Sequence, residues 1–449
     1  MASSSRFSLL RTLKIGSFNF GSAIADILTA SVWNRVMITD LGVGATPVSI
    51  LLALRYLLAP LSIWIGLQSD ARSIAGLRRT PYIWLGRGLM LIGLLLLPLS
   101  TLRLNADLSD PIGWGAALLI FVAYGAGTAI SGGPFLALIH DRTPAAKRGI
   151  AISLAQMILL LGFAVSPILF GRLLPQYSPE QFQALAVGTA VAALIIWVLS
   201  IAGEERRLKA GEVQAGAEPA ATRAAIKRLW ADTRARRFFF FLALGAIASF
   251  AQDAVLEPFG GDVFALDVQA TTRFTAYFGT GVLVAMLITS IVTRRRRPEE
   301  QSRPAAIGLS VMIAGLLGLA LAGVTLTGWL VTPALIVFGL GFGVYTVGGV
   351  SLLMAMTTET AAGAYLGLWT MTQLVSRGLG IGLGGVLRDV SLALTGSLPL
   401  AYASVFALEA LGLAVCIGLL ARLDVIGFAR DNGRGQPEAG LSTVLAAAD

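Results

Sequence analysis

Apolar residues in this chain come in long runs separated by short polar breaks. A helix needs about 20 mostly apolar residues to cross a bilayer. Twelve runs meet that length: 15–39, 46–67, 82–102, 112–139, 149–171, 181–202, 238–257, 272–293, 305–327, 330–355, 361–387 and 398–421. The pattern predicts an all-α integral membrane protein of twelve transmembrane helices. Six fall within residues 1–202 and six within 238–423. Between them, residues 203–237 read as a cytoplasmic linker. Glu204, Glu205, Arg206 and Arg207 lead into an Ala/Gly-rich middle, then Arg234, Arg236 and Arg237. Such a segment fixes topology; a docking site for anionic lipid or a partner is the lesser alternative. Residues 424–449 are polar and are expected to form a disordered cytoplasmic tail.

The polar breaks alternate in charge. One side receives Arg6, Arg11 and Lys14, then Arg72, Arg78 and Arg79, then Arg142, Lys147 and Arg148, and later Arg294 to Arg297 with Arg303. The other side receives scattered basics such as Arg103, Arg172, Arg273 and Arg388. Excess Lys and Arg mark cytoplasmic loops, so both termini are expected in the cytoplasm. The break between the tenth and eleventh runs carries no basic residue, and its side rests on parity alone.

Composition sharpens this. The 449 residues are 56% hydrophobic and 13% charged, against about 25% charged in a soluble domain. The net charge of +9 is therefore assigned to loops facing a lipid bilayer, not to nucleic acid. The one cysteine, Cys416, excludes an internal disulfide, and the one histidine, His140, leaves histidine-based zinc sites and Ser-His-Asp triads almost nothing to draw on. No Walker lysine or strand–GxGxxG–helix context is present. No catalytic constellation appears and no metal site is implied, so the chain is not expected to be an enzyme. The first run follows a polar, basic start and lacks a small-residue cleavage site, so it reads as a retained span.

The halves share a weak repeat. Gly125, Gly127 and Gly132-Gly133 precede Asp141 and Gly149; Gly341, Gly343 and Gly348-Gly349 precede Glu359 and Gly367. Spacing from acid to glycine is eight in both, while the glycine pairs are offset by two positions. Twelve spans in two similar halves fit a transporter architecture with its ligand site where the halves meet. Gly339 to Gly343 and Gly378 to Gly385 let helices pack closely, or leave a flat slot for a macrocycle.

Charges inside spans are costly and therefore functional candidates. Asp26, Arg55, Arg377 and Glu409 qualify. Asp26 is expected either to pair with Arg55 or Arg377, or to act as a protonatable coupling group, since burial raises a carboxylate's pKa. Arg35 lies 21 residues beyond Lys14, and Glu257 lies 20 beyond Arg237. The common rise per residue brings both to similar depth near the non-cytoplasmic side. An outer gate follows: Arg35 against Glu257, beside Asn34, with Asp253 one turn below Glu257 on the same face. Pro258 and Gly260-Gly261 should end that helix sharply. Independent snorkelling of these charges is the alternative. His140, beside Asp141, reads as a solvated loop histidine and only weakly as a magnesium ligand for a chlorin.

The break after the second span reads Gly66-Leu67-Gln68-Ser69-Asp70, then Gly76-Leu77-Arg78-Arg79-Thr80-Pro81-Tyr82-Ile83-Trp84-Leu85-Gly86. Gly66 would allow close helix approach. Asp70 could cap a neighbouring helix, and Arg78 and Arg79 could pair with it or with lipid headgroups. The stretch resembles the signature between helices 2 and 3 of major facilitator transporters, although five residues separate Asp70 from Gly76, more than is usual there. In that superfamily Gly66, Asp70, Arg78 and Arg79 would form a cytoplasmic latch with helix 11. The RRTPYIW form, together with Trp33-Asn34-Arg35-Val36-Met37-Ile38 and Gln252-Asp253-Ala254-Val255-Leu256-Glu257-Pro258-Phe259-Gly260-Gly261 before Thr271-Thr272, resembles the PucC/LhaA branch.

That resemblance implies an inner-membrane protein of a phototrophic bacterium, in the cytoplasmic or intracytoplasmic membrane, that helps assemble light-harvesting complexes. Its expected transient ligand is bacteriochlorophyll, delivered or shielded. Its expected partners are antenna polypeptides and pigment-synthesis enzymes. Two rivals stand beside it: a proton-coupled transporter of a small amphipathic molecule, and a pigment-free scaffold for antenna polypeptides. Ser17 to Ser31 and Leu52 to Trp64 depart from the usual members, which leaves the antenna served unspecified.

Overall fold

Capping residues and prolines set where the helices begin. Asp110, Ser178 and Asp232 accept a backbone N–H from Ile112, Gln181 and Arg234, and Pro111 and Pro179 follow in the first turn. Proline lacks an N–H and is pre-set for the first helical turn, so it starts a helix where it would break the interior. A computed structural model describes residues 8–144, 147–205, 207, 230–293, 300, 302–356, 362–423, 425 and 427, with the backbone only at 67, 70, 71 and 362–366.

Twelve helices are long and apolar enough to cross a membrane. They are α1 Leu9–Asp40, α2 Ala45–Gly66, α3 Thr80–Ala106, α4 Pro111–Arg142, α5 Arg148–Leu173, α6 Pro179–Ile201, α7 Thr233–Ala254, α8 Val268–Thr293, α9 Ser302–Thr325, α10 Gly328–Ala355, α11 Gly367–Thr395 and α12 Leu398–Ala421. Every expected span has its helix. α11 runs to Thr395, past the expected end at residue 387, so Arg388 lies inside a helix and not in a loop. Most of the 203–237 segment and of the 424–449 tail lies outside the described residues.

Buried apolar side chains form two main cores. One joins Phe18, Trp33, Phe121, Tyr124, Phe182 and Trp197; the other joins Phe238, Phe241, Phe259, Phe338, Tyr402 and Phe406. Large apolar residues such as Leu119, Leu287 and Ile291 remain exposed on the outside. No soluble protein would leave such a belt bare; lipid covers it.

The repeat between halves is real, but in a different register. Gly127 of α4 packs on the backbone of Gly86 in α3, and Gly341 of α10 packs on that of Gly308 in α9. Gly125 and Gly127 therefore correspond in packing to Gly339 and Gly341, which widens the offset from the acids Asp141 and Glu359 from two positions to four. The glycine-rich stretches are packing surfaces. Gly339, Gly341 and Gly343 lie against α8 and α9, and Gly378, Gly380, Gly384 and Gly385 against α2 and α7. Close packing is thus the reading these positions bear out; neighbouring helices fill the place of the alternative, a slot for a macrocycle.

The bundle has two ends. The basic end holds the start of α1 and the loop after α2. The far end holds the end of α1 and the start of α2.

Candidate functional site at the interface of the halves

Midway through the bundle, α1 presents Asp26, α2 presents Arg55 and Tyr56, and α4 presents Tyr124. An Asp26 carboxylate oxygen lies 3.1 Å from Arg55 Nη2. The Tyr124 hydroxyl donates to the other oxygen at 2.7 Å. Gly125 makes this possible, since a side chain there would meet the Arg55 backbone. In the second half, Arg377 of α11 pairs with Asp253 at 2.9 Å. The Gln252 amide donates to the same Asp253 at 2.7 Å. Asp26 thus pairs with Arg55, while Arg377 takes a different carboxylate.

Tyr56 connects the two pairs. The Arg55 and Arg377 guanidinium groups each sit 4.8 Å from its ring centroid. Arg377 also lies 4.3 Å from the ring of Phe250. Aromatic faces and carboxylates together compensate two arginines held away from bulk water. Beside Arg377, a cavity of about 230 Å³ opens between α7, α10 and α11. Its wall is largely apolar, with Phe250, Phe342, Tyr345 and Trp369 among the lining residues.

At the far end, α1 and α7 both leave regular α geometry where they meet. α1 contains two π turns, Leu28–Val32 and Val36–Asp40. α7 ends in a tight 3₁₀ turn, Ala251–Ala254, before a short helix, Leu256–Phe264. Ser31 donates to Glu257, Asn34 donates to the Ala254 carbonyl at 2.8 Å, and Arg35 donates to the Leu266 carbonyl at 2.9 Å.

The expected Arg35–Glu257 pair is corrected here. Arg35 pairs with Asp40 at 2.5 Å. Glu257 accepts from Ser31 and, at 3.3 Å, from Thr275. Both residues reach the α1–α7 seam at the expected depth, but with other partners. Asp253 is not stacked below Glu257 on one face either. The 3₁₀ turn over-winds the backbone between them, sending Asp253 to Arg377 and Glu257 to Ser31. Pro258 and Gly260-Gly261 lie inside the short helix rather than ending α7.

A second polar group at the far end was not foreseen. Arg388 of α11 pairs with Asp262 at 3.0 Å and Asp389 at 2.9 Å. Tyr402 donates to Asp262 at 2.5 Å. Asp389 accepts the backbone N–H groups of Ala45 at 3.0 Å and Thr46 at 2.7 Å, capping α2 of the other half. The adjacent Arg-Asp pair was the available signal, lost when the helix was ended at residue 387.

Arg87 of α3 was also missed. It is 5% exposed, stacked 4.1 Å from the centroid of Phe18 and 4.8 Å from that of Trp197. Its place inside the third run was visible, but it follows directly on the loop motif. Glu409 of α12 is 3% exposed, and neither carboxylate oxygen has a hydrogen-bond partner among the described residues. It faces the Gln252–Asp253 turn of α7.

The basic end is fastened within the first half. Glu205 accepts the backbone N–H groups of Arg78, Arg79 and Thr80 at 2.6–2.7 Å, capping α3. That is the role expected of Asp70, whose side chain lies outside the described residues. Arg79 bonds Ser69 at 2.9 Å and lies 3.4 Å from Asp141. Gly66 has open space where a side chain would go, so close helix approach does not require it. The connection expected to complete a latch at α11 falls at 357–361, outside the described residues. Glu204 pairs with Arg11 at 2.6 Å and Lys14 at 2.8 Å. Burial alone would raise its carboxyl, but the bonds from Lys14 and Arg11 outweigh that and hold it below the ordinary carboxylate range. His140 is half-exposed, 3.7 Å from Asp141.

This geometry meets known proteins at two levels. The family model described as PUCC protein matches residues 32–428. The chain belongs to the PUCC protein family. Among PUCC relatives, Protein PucC of Rhodobacter capsulatus is 32% identical over 426 residues, covering 91% of each chain. Protein PucC of Rhodovulum sulfidophilum is 32% identical over 401 residues, covering 86% of this chain and 87% of the relative. The Bacteriochlorophyll synthase 44.5 kDa chain of Rhodobacter capsulatus is 29% identical over 400 residues, covering 85% and 88%. Solved structures give the fold alone. A bacterial homolog of the human lysosomal transporter Spinster superposes with a TM-score of 0.65 at 17% identity, covering 96% of this chain and 98% of that one. The nucleoside transporter NupG gives 0.66 at 15%, covering 93% and 99%. This PUCC-family chain is a multi-pass membrane protein with the major facilitator fold.

Proposed function

We propose that this chain is an assembly factor for light-harvesting complexes in a bacterial inner membrane, holding or delivering bacteriochlorophyll while antenna polypeptides assemble. The family match over residues 32–428 carries the proposal. The relative named as a bacteriochlorophyll synthase chain supports the pigment side of it. Free bacteriochlorophyll is apolar and photoreactive, and a membrane carrier keeps it from oxygen and passes it laterally to an antenna helix. No bond is made or broken, so the chain works as a carrier and not an enzyme. Its partners are antenna polypeptides, pigment-synthesis enzymes and the bilayer. The excess of Lys and Arg on one side supports a cytoplasmic position for both termini.

The paired charges favour one rival. Asp26 with Arg55, and Asp253 with Arg377, are the kind of interior ion pairs that protons and substrates can break in a transporter. The deciding experiment is a near-infrared spectrum of the chain purified in mild detergent from a bacteriochlorophyll-producing host. A near-stoichiometric chlorin band, missing from a control membrane protein, supports the carrier. A colourless chain that retains antenna polypeptides overturns it in favour of a scaffold. A colourless chain alone, with proton-driven flux lost in Asp26→Asn, overturns it in favour of the transporter.

A further inference from the structure

The cavity beside Arg377 has the chemistry of a site for part of an amphiphile. Its volume, about 230 Å³, is below the roughly 300–1,000 Å³ of a complete ligand pocket, and far too small for a chlorin macrocycle. Its wall of Leu242, Phe250, Phe342, Val350, Trp369 and Leu374 suits a flexible hydrocarbon chain. Arg377 marks the mid-bundle end of this wall. Its side chain is 36% exposed and lines the cavity. Its stacking on Tyr56 puts that end at the boundary with the other half.

Charge decides what Arg377 can receive. Asp253 already neutralises it, and Asp26 neutralises Arg55. A phosphate or carboxylate brought here would add an uncompensated negative charge in an apolar setting. A neutral oxygen acceptor, such as an ester carbonyl, would take a hydrogen bond from the exposed part of the guanidinium without that cost. We infer that this cavity takes the ester-proximal part of the pigment's hydrocarbon tail, with the ester oxygen at Arg377 and the ring held outside the cavity. The inference rests on the pigment reading and specifies which part of the molecule the cavity holds.

Gly349 lines the cavity, and a Cβ added there meets no atom within 4 Å. Gly349→Phe therefore starts from open space and brings its ring into the cavity. The test compares binding of three probes to the purified full chain: bacteriochlorophyll, the tail-free bacteriochlorophyllide, and a phytyl ester without a ring. Wild type should bind bacteriochlorophyll about tenfold more tightly than the tail-free form, and Gly349→Phe should erase that difference while leaving the tail-free affinity unchanged. Equal binding of the two pigments by wild type overturns the tail site while the carrier role survives. Retention of the phytyl ester alone, lost in Gly349→Phe, upholds a chain site and overturns the pigment reading. Equal binding of a diacylglycerol overturns the assignment to the pigment ester. Binding of none of the probes overturns both.

Discussion

The two ends of the bundle are held by different means. At the far end, hydrogen bonds and close packing cross from one half to the other. Asp389 caps α2, Asn34 bonds the Ala254 carbonyl, Thr272 bonds the Pro167 carbonyl, and Gly385 packs on Ala45 and Ser49. At the basic end, Glu204 and Glu205 bind Arg11, Lys14 and the start of α3, all within the first half. In the major facilitator fold the halves move as units against each other. The far end is thus the sealed end in this state, and separating the halves there would break directional contacts and expose glycine-packed backbone. At the basic end, the ion pairs of Glu204 with Arg11 and Lys14 join the start of α1 to the end of α6.

The largest effect should come from Arg388→Met. It leaves two partly buried carboxylates without their shared guanidinium, Asp262 keeping Tyr402 and Asp389 keeping the N–H groups of α2. A loss of about 3 kcal/mol is expected, the low end for a broken buried pair, read as a fall in melting temperature in detergent. A change below about 1 kcal/mol would mean the far-end clamp does not hold the halves.

A smaller effect separates the two seam partners of Arg35. A double-mutant cycle of Arg35→Gln with Asp40→Asn should show coupling of about 1–3 kcal/mol, and one with Glu257→Gln less than about 0.5 kcal/mol. Equal coupling would restore the direct Arg35–Glu257 gate.

The smallest effect lies at the basic end. Glu204→Gln removes a carboxylate whose folded pKa lies below its ordinary value of 4.5. Its stabilising contribution is present above that value and is lost as pH falls through the lower folded value. Arg11 and Lys14 are 37% and 43% exposed, so the expected loss is at most about 1 kcal/mol. The melting-temperature gap between wild type and variant should close on acidification. A gap that widens on acidification would contradict this sign.

Much of this was legible because membrane insertion writes itself into composition. Twelve apolar runs gave twelve helices, and buried charge was scarce enough for Asp26, Arg55 and Arg377 to stand out. The pairing was harder. Asp253 and Glu257 look like one-turn neighbours only if α7 stays regular, and a 3₁₀ turn separates their directions. Arg388 looked like a loop residue because the apolar run fades before it, while the helix continues on buried partners. Gly66 looked like a packing glycine, yet nothing approaches it.

The sequence by itself determined the class of molecule, its twelve spans, the motifs that mark its family and which charges must be compensated. These follow from local rules: an apolar stretch of given length must span, and a charge within it must find a partner. Only the tertiary structure decided the partners. Helix rotation, the π turns of α1 and the 3₁₀ turn of α7 are set by packing against neighbours distant in the chain. A shift of one residue in winding redirects a side chain by about 100°, enough to exchange one ion pair for another.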